Sequence, residues 1–247
     1  MSEFILYTIL GFFAGLIDGA IGMGYGNFLA TCLTFLGMPL LNASANIHFA
    51  EMFSSCANGL SHLAFKNIDM KLLKKIAIPG VIGGLIGALL LGHIDNTFLK
   101  PIVAIYLIIL GFSILKNAFI NKRKKRVKRL KTLGLVGGFF DAMGGGGWGP
   151  IVAGTLISKG HTPKKTIGTV SLSEFFVTTA QSACFFTLIG FGSWSLLGGL
   201  ILGGILAAPI AAFTVKKINS KLLLFLVGSF IIVINLFILA DIFKGLR

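Results

Sequence analysis

Four carboxylates, Asp18, Glu51, Asp141 and Glu174, stand in stretches that are otherwise apolar. Ionisable side chains in such surroundings are costly and mark ion paths and proton relays. Two of them open glycine-rich runs, from Gly15 to Asn27 and from Gly138 to Pro150, the second holding four consecutive glycines. Such a run is poor helix. Where a helix restarts after a break, its first N–H groups lack intrahelical partners and its positive dipole end points at the break, which makes an anion site without Arg or Lys. Pro150 suits the first turn of such a restart. The expected anion ligands are Gly22, Gly24, Gly26 and Asn27 together with Gly145, Gly146, Gly147 and Gly149. Asp18 and Asp141 either accept hydrogen bonds that hold the break in shape or carry protons, and Glu51 and Glu174 lean toward proton coupling.

A second constellation lies in the segment 43–65, where Asn46, His48, Glu51, Ser55, Asn58 and His62 read as one polar helical stripe. The matching segment later in the chain carries Ser171, Ser173, Glu174, Thr178 and Gln181. A polar stripe on an apolar helix faces a cavity or a neighbouring helix. Asn46, His48, Asn58, Ser171 and Gln181 are the expected cavity residues. His48 with Glu51 at i+3 also invites a metal reading, but only His62 and Cys56 join them from the same half, so no metal site is assigned. His62 is expected near the cytoplasmic interface, and Trp194 and Tyr106 as interface or packing aromatics.

The elements that carry these residues are membrane helices. Hydrophobic residues make up 55% of the 247 and charged ones 12%, about half the charged share of a soluble domain, and mean hydropathy is +0.92. A spanning helix needs about 20 mainly apolar residues. Apolar segments fall at 4–20, 25–37, 43–65, 72–92 and 98–119, then at 131–143, 148–158, 164–189, 193–215 and 219–243. The expected fold is therefore an all-α integral membrane protein of about eight to ten helical segments. It crosses the cell membrane several times, with 33 glycines permitting close helix packing.

The two sets of five segments match at a fixed spacing of 123. Gly15 falls on Gly138, Asp18 on Asp141, Gly22, Gly24 and Gly26 on Gly145, Gly147 and Gly149, Glu51 on Glu174, and Asn58 on Gln181. The chain thus reads as a first membrane repeat, 1–120, a basic cytoplasmic linker, 121–131, and a second repeat, 132–247. All but four of the 22 Lys and Arg lie in the connectors 66–75, 121–131, 159–165 and 216–221. Placing these inside, as short basic loops require, puts matching loops on opposite sides: 66–75 is inside and its counterpart 189–198, without Lys or Arg, is outside. Inverted-topology repeats are expected, each opening with a glycine-broken hairpin, re-entrant or fully crossing, whose tips meet near the midplane.

Other classes are excluded by the same facts. The net charge of +14 sits in short connectors and leaves no surface for nucleic acid. Cys32, Cys56 and Cys184 lie in apolar segments without a CxxC pair, which reads as buried structural thiols and not as a disulfide or zinc framework. Met1–Phe4 lack a basic n-region, so no removable signal peptide is expected. There is no GxSxG, HExxH or placeable Ser-His-Asp set, hence no enzyme and no cofactor is expected. The partners implied are a small inorganic or organic anion and the lipid bilayer; a homodimer is compatible with this reading.

The paired motifs Gly15–Gly26 and Gly138–Gly149, each an Asp followed by a glycine cluster and a restarting apolar run, resemble the TauE/SafE sulfite exporter family (DUF81 or TSUP) over nearly the whole chain. The first motif, Ile21-Gly22-Met23-Gly24, is less glycine-rich than the second. The resemblance implies secondary transport of small anions, often sulfur-containing (sulfite, sulfoacetate, related sulfonates or carboxylates), linked to protons. The alternative is a transition-metal or other cation transporter using His48, Glu51 and the membrane aspartates.

Overall fold

The structure, a computed structural model, describes residues 2–94, 96–119, 127–159, 161–190, 192–214 and 220–245. Most of the basic linker expected at 121–131, and part of the basic connector 216–221, lie outside the described residues. Those described form α1 (Ser2–Ile21), α2 (Tyr25–Phe35), α3 (Leu40–Ala64), α4 (Met70–His93), α5 (Asn96–Phe119) and α6 (Leu130–Gly144). A π-helical turn, Gly149–Ala153, leads straight into α7 (Gly154–Ser158), followed by α8 (Pro163–Ile189), α9 (Trp194–Thr214) and α10 (Ser220–Gly245). No strand occurs among the described residues. The helices lie within a few residues of the expected segments. The π turn was not foreseen.

Solvation by lipid is written on the outer surface. On α4, Ile78, Ile82, Ile86 and Leu89 are exposed at helical spacing, and on α5 Ile102, Ile105, Ile109 and Phe112 are too. The interior holds Asp18, Asn27, His48, Glu51, Asp141, Glu174 and Gln181, each below a tenth exposed. Large apolar side chains facing outward, with these polar groups enclosed within an otherwise apolar core, depart from the soluble pattern and suit helices in a bilayer. By length and composition, Ser2–Gly19, Met70–His93 and Lys165–Ile189 are long and apolar enough to cross a membrane, and Pro101–Lys116, Trp194–Ala208 and Gly228–Ala240 are shorter apolar stretches.

Packing partners pair off across the chain: α1 runs along α9, α6 along α4, α3 against α8 and α5 against α10. Small residues set the closest of these approaches. A side chain at Gly138 of α6 would run into the Gly80 carbonyl of α4, and one at Gly15 of α1 would lie 2.8 Å from Ala207 Cβ and 3.1 Å from Gly204 Cα of α9. Without water to drive helices together, such backbone proximity supplies dispersion contact. At the start of α4, Asp69 caps the helix by accepting from the Lys71 and Leu72 N–H groups at 2.9 and 3.1 Å, while its own N–H donates to Thr169 Oγ1 of α8 at 2.9 Å.

Of the cysteines, Cys184 is buried as expected, whereas Cys32 and Cys56 are only half-buried. Trp194 is exposed, as an interface aromatic would be, and Tyr106 stacks on Phe140 with centroids 5.2 Å apart.

Candidate functional site

Both glycine runs break their helices. Gly22 (φ 70°) and Gly24 (φ 116°) take left-handed conformations that L side chains avoid, so α1 stops and α2 restarts at Tyr25. No side chain caps α2. Its ladder opens with the Phe28 N–H donating to the Gly24 carbonyl at 3.0 Å, and the N–H groups of Tyr25, Gly26 and Asn27 precede that bond. In the second run α6 ends at Gly145 (φ 68°), and the Gly146 N–H turns back to the Asp141 carbonyl at 3.0 Å. The Asp141 side chain then reaches forward, Oδ1 accepting from the Trp148 N–H at 2.9 Å. It thereby fastens the end of one helix to the start of the next. The breaks, 22–24 and 145–147, are 123 residues apart.

The two breaks cross backbone on backbone. A side chain at Gly26 would meet the Gly145 carbonyl and lie 2.6 Å from Gly146 Cα; one at Gly149 would lie 2.6 Å from Met23 Cα and 3.2 Å from the Gly22 carbonyl. These contacts are equivalent under the spacing of 123. Beside them Asn27 is 1% exposed, and neither its Oδ1 nor its Nδ2 has a hydrogen-bond partner. An enclosed amide with both ends unmet is costly and is suited to a ligand. Trp148, fully buried, packs its ring on Gly80 and donates from Nε1 to the Val170 carbonyl at 3.2 Å.

The polar stripes of α3 and α8 back this crossing. Gln181 Nε2 donates to Asp141 Oδ2 and to the Gly138 carbonyl, both at 3.1 Å. Asn58 Nδ2 stands in the same relation to Asp18 Oδ2 at 3.5 Å. His48 Nδ1 lies 3.4 Å from Glu51 Oε2, and its Nε2 lies 3.9 Å from Asp141 Oδ2. Ser171 and Glu174 are buried on α8. Asn46 departs from the expected stripe. Its Nδ2 donates to the Asn42 carbonyl at 2.6 Å, and with Asn42, Tyr7, Gly192 and Ser193 it lines a cavity of about 420 Å³ at the α8–α9 connection.

Two participants, Ser44 and Tyr106, and one meeting, that of Asp141 with His48 and Glu51, were not anticipated from the sequence. Ser44 begins the face that continues through His48, Glu51, Ser55 and Asn58, and its Oγ donates to the Ala142 carbonyl at 2.6 Å; the helical register alone held that signal. Tyr106 of α5 lies against Gly144 and Gly147 at the second break. Asp141 joins His48 and Glu51 from the other half, one atom of each lying within 4.8 Å of the others. A cation could share that spacing. An imidazole binds an ion through one of its two nitrogens, so the grouping offers a cation one ring nitrogen and one oxygen from each carboxylate.

The comparisons with known proteins follow the same line. The model of the family Sulfite exporter TauE/SafE matches residues 7–238. The probable membrane transporter protein YtnM of Bacillus subtilis is 38% identical over 246 residues, covering 95% of this chain and 82% of that protein. A probable membrane transporter protein of Methanocaldococcus jannaschii is 25% identical over 252 residues, covering 95% of this chain and 94% of its own. YdhB of Bacillus subtilis, also a probable membrane transporter protein, is 26% identical over 218 residues, covering 84% of this chain and 89% of its own. No solved structure matches the chain.

Proposed function

This chain belongs to the Sulfite exporter TauE/SafE family, a membrane transporter and not an enzyme, and from that premise we propose that it is a secondary carrier of a small, sulfur-containing anion such as sulfite or sulfoacetate. The anion is held where the two glycine breaks cross. The observation that carries this reading is the crossing itself: Gly26 against Gly145 and Gly146, Gly149 against Gly22 and Met23, with the unpartnered amide of Asn27 beside them. The uncapped N–H groups of Tyr25, Gly26 and Asn27 supply donors, and the dipole of α2 favours negative charge there. Gly22, Gly24, Gly145, Gly146, Gly147 and Gly149 let the two backbones come this close.

In the conformer described here the breaks touch, so an anion reaches these N–H groups only when they part. That parting is the conformational step of alternating access. The residues 1–120 and 132–247 act as two inverted repeats in the cell membrane, joined by the basic linker at 121–131 on the cytoplasmic side. The exchange of packing partners between α1·α9 and α6·α4, and the equivalent contacts at the crossing, support this arrangement. So does the distribution of Lys and Arg. Asp141 and Asp18 hold the breaks through Gln181 and Asn58, while Glu51 and Glu174 stand ready for proton linkage. The cation-carrier alternative would place its ion among His48, Glu51 and Asp141, one atom of each lying within 4.8 Å of the others, and chelation of metal ions during counterflow separates it from the anion carrier.

Counterflow in proteoliposomes tests the reading. Vesicles loaded with unlabelled sulfoacetate or sulfite should accumulate the labelled anion transiently. Absence of anion movement under every gradient would contradict it.

A further inference from the structure

Among the described residues, four carboxyls are buried in the interior, Asp18, Glu51, Asp141 and Glu174, and His48 is the one buried base. Its imidazole lies between two carboxylates, Nδ1 3.4 Å from Glu51 Oε2 on its own helix and Nε2 3.9 Å from Asp141 Oδ2 on α6. Neither contact has hydrogen-bond geometry, and both ring nitrogens and Glu51 Oε2 are otherwise without partners. A neutral imidazole carries one N–H. It can serve only one of the two carboxylates, and its other nitrogen sets a lone pair against the second. Both gaps are satisfied only when the trio holds one proton more than a neutral ring and two carboxylates. That proton resides on the ring as imidazolium or on one of the carboxyls.

We propose that His48, Glu51 and Asp141 form a site for one transported proton that ties α3 to the second break, an inference that rests on the anion-carrier reading above and narrows its proton linkage to one site, one stoichiometry and one direction. The trio carries a net charge of −1 when filled. Giving up the proton to water on the open side leaves −2 and opposes a lone pair to a carboxylate in an enclosed setting where charges act strongly. The strain falls on the contact between α3 and Asp141. Asp141 also holds the Trp148 N–H at 2.9 Å, so movement there reaches the break directly. An anion at the crossing is repelled more by the emptied trio than by the filled one. Proton and anion therefore bind together and cross in the same direction.

The position 123 residues after His48 is Ser171, and the position 123 residues before Asp141 is Asp18. The second half thus has no copy of the imidazole, which sets one proton per cycle and not two. The other groups facing the trio do not duplicate it. Asp18 of α1 and Glu174 of α8 lie within electrostatic reach of Glu51. Tyr25 of α2 and Tyr106 of α5 bring phenols toward Glu51 and Asp141. Beside His48, α8 presents the Phe185 ring, centroids 5.8 Å apart, and α9 contains no ionisable side chain.

The test uses the full chain in proteoliposomes with sulfoacetate, which has no group titrating near neutral pH. In the unaltered protein an acid-outside gradient should drive sulfoacetate uptake above equilibrium at one proton per anion. His48→Gln should keep counterflow within a few-fold while gradient-driven accumulation falls at least tenfold. Glu51→Gln should behave alike, and it serves where His48→Gln fails to fold. Undiminished accumulation in both variants overturns the proposal. So does counterflow in the unaltered protein that no pH gradient can drive, a drive that chelation of metal ions abolishes, or loss of counterflow in both variants. If the unaltered protein itself shows no counterflow, the carrier reading fails first and the proton site falls with it.

Discussion

Gln181 donates from Nε2 to Asp141 Oδ2 at 3.1 Å, and the amide 123 residues earlier, Asn58, reaches Asp18 Oδ2 only at 3.5 Å. The second break is thus fastened more tightly than the first. Asp141 spends both oxygens on it, one on Gln181 and one on the Trp148 N–H. An aspartate with both oxygens engaged holds shape, whereas Asp18 is the looser of the pair.

Gln181→Ala should therefore destabilise the protein more than Asn58→Ala. Removing Gln181 leaves Asp141 Oδ2 and the Gly138 carbonyl short of a donor, at a cost of about 1–3 kcal/mol for a buried group left unmet. Thermal melts in detergent give the order. A larger loss in Asn58→Ala would reverse the assignment of the stronger clamp.

Asn27 makes the opposite kind of prediction. Its amide has no protein partner, so Asn27→Ala should leave the melting temperature nearly unchanged. It should weaken anion half-saturation in counterflow roughly tenfold, the equivalent of one or two hydrogen bonds. Asn27→Asp, which sets a carboxylate beside the anion, should weaken it further. Equal half-saturation in all three proteins would remove Asn27 from the site.

Close helix approach separates two glycines that look alike in sequence. Gly138→Val drives a side chain into the Gly80 carbonyl and should cost about 1–3 kcal/mol or more from overpacking, seen as loss of monodisperse protein on size exclusion. Gly198, whose Cβ would sit 3.4 Å from Phe4 Cε2, should accept Ala without loss.

The outer face of α4 reports on the solvent. Ile82 is about half exposed midway along this helix. In water Ile82→Lys would be harmless. At the centre of a bilayer a lysine raises the cost of insertion by about 2.5–3.5 kcal/mol. Membrane-inserted yield should fall sharply for this variant, while an equivalent change at exposed Lys71 to Gln should not alter it.

The backbone of this account was legible in the residues. Left-handed glycines, Pro150 and the apolar segment lengths foretold where α1, α2, α6 and the restart after Gly147 begin and end, because these are local steric and solvation effects. The spacing of 123 made Asp18 equivalent to Asp141 and Asn58 to Gln181, but it did not imply that each aspartate meets its amide, which only tertiary packing brings about, between α1 and α3 and between α6 and α8. The meeting of His48 with Asp141 was not legible. The two are 93 positions apart on different helices, and only the packing of α3 beside α6 brings them together. Nor was the departure of Asn46 from the stripe foreseen, since a residue two positions before His48 turns to another face of α3. The π turn at Gly149–Ala153 directly follows Trp148, which is buried against Gly80, and local propensity carries no signal for it.

The most direct test asks from which side each half enters the membrane. Lys71, at the start of α4, and Trp194, at the start of α9, are 123 residues apart and both solvent-accessible. With Cys32, Cys56 and Cys184 replaced by alanine, single cysteines at these two positions are exposed to a membrane-impermeant maleimide on intact cells. The opposed arrangement predicts labelling at position 194 without permeabilisation and at position 71 only after it. Labelling of both from the same side would contradict the crossing of two oppositely entering breaks.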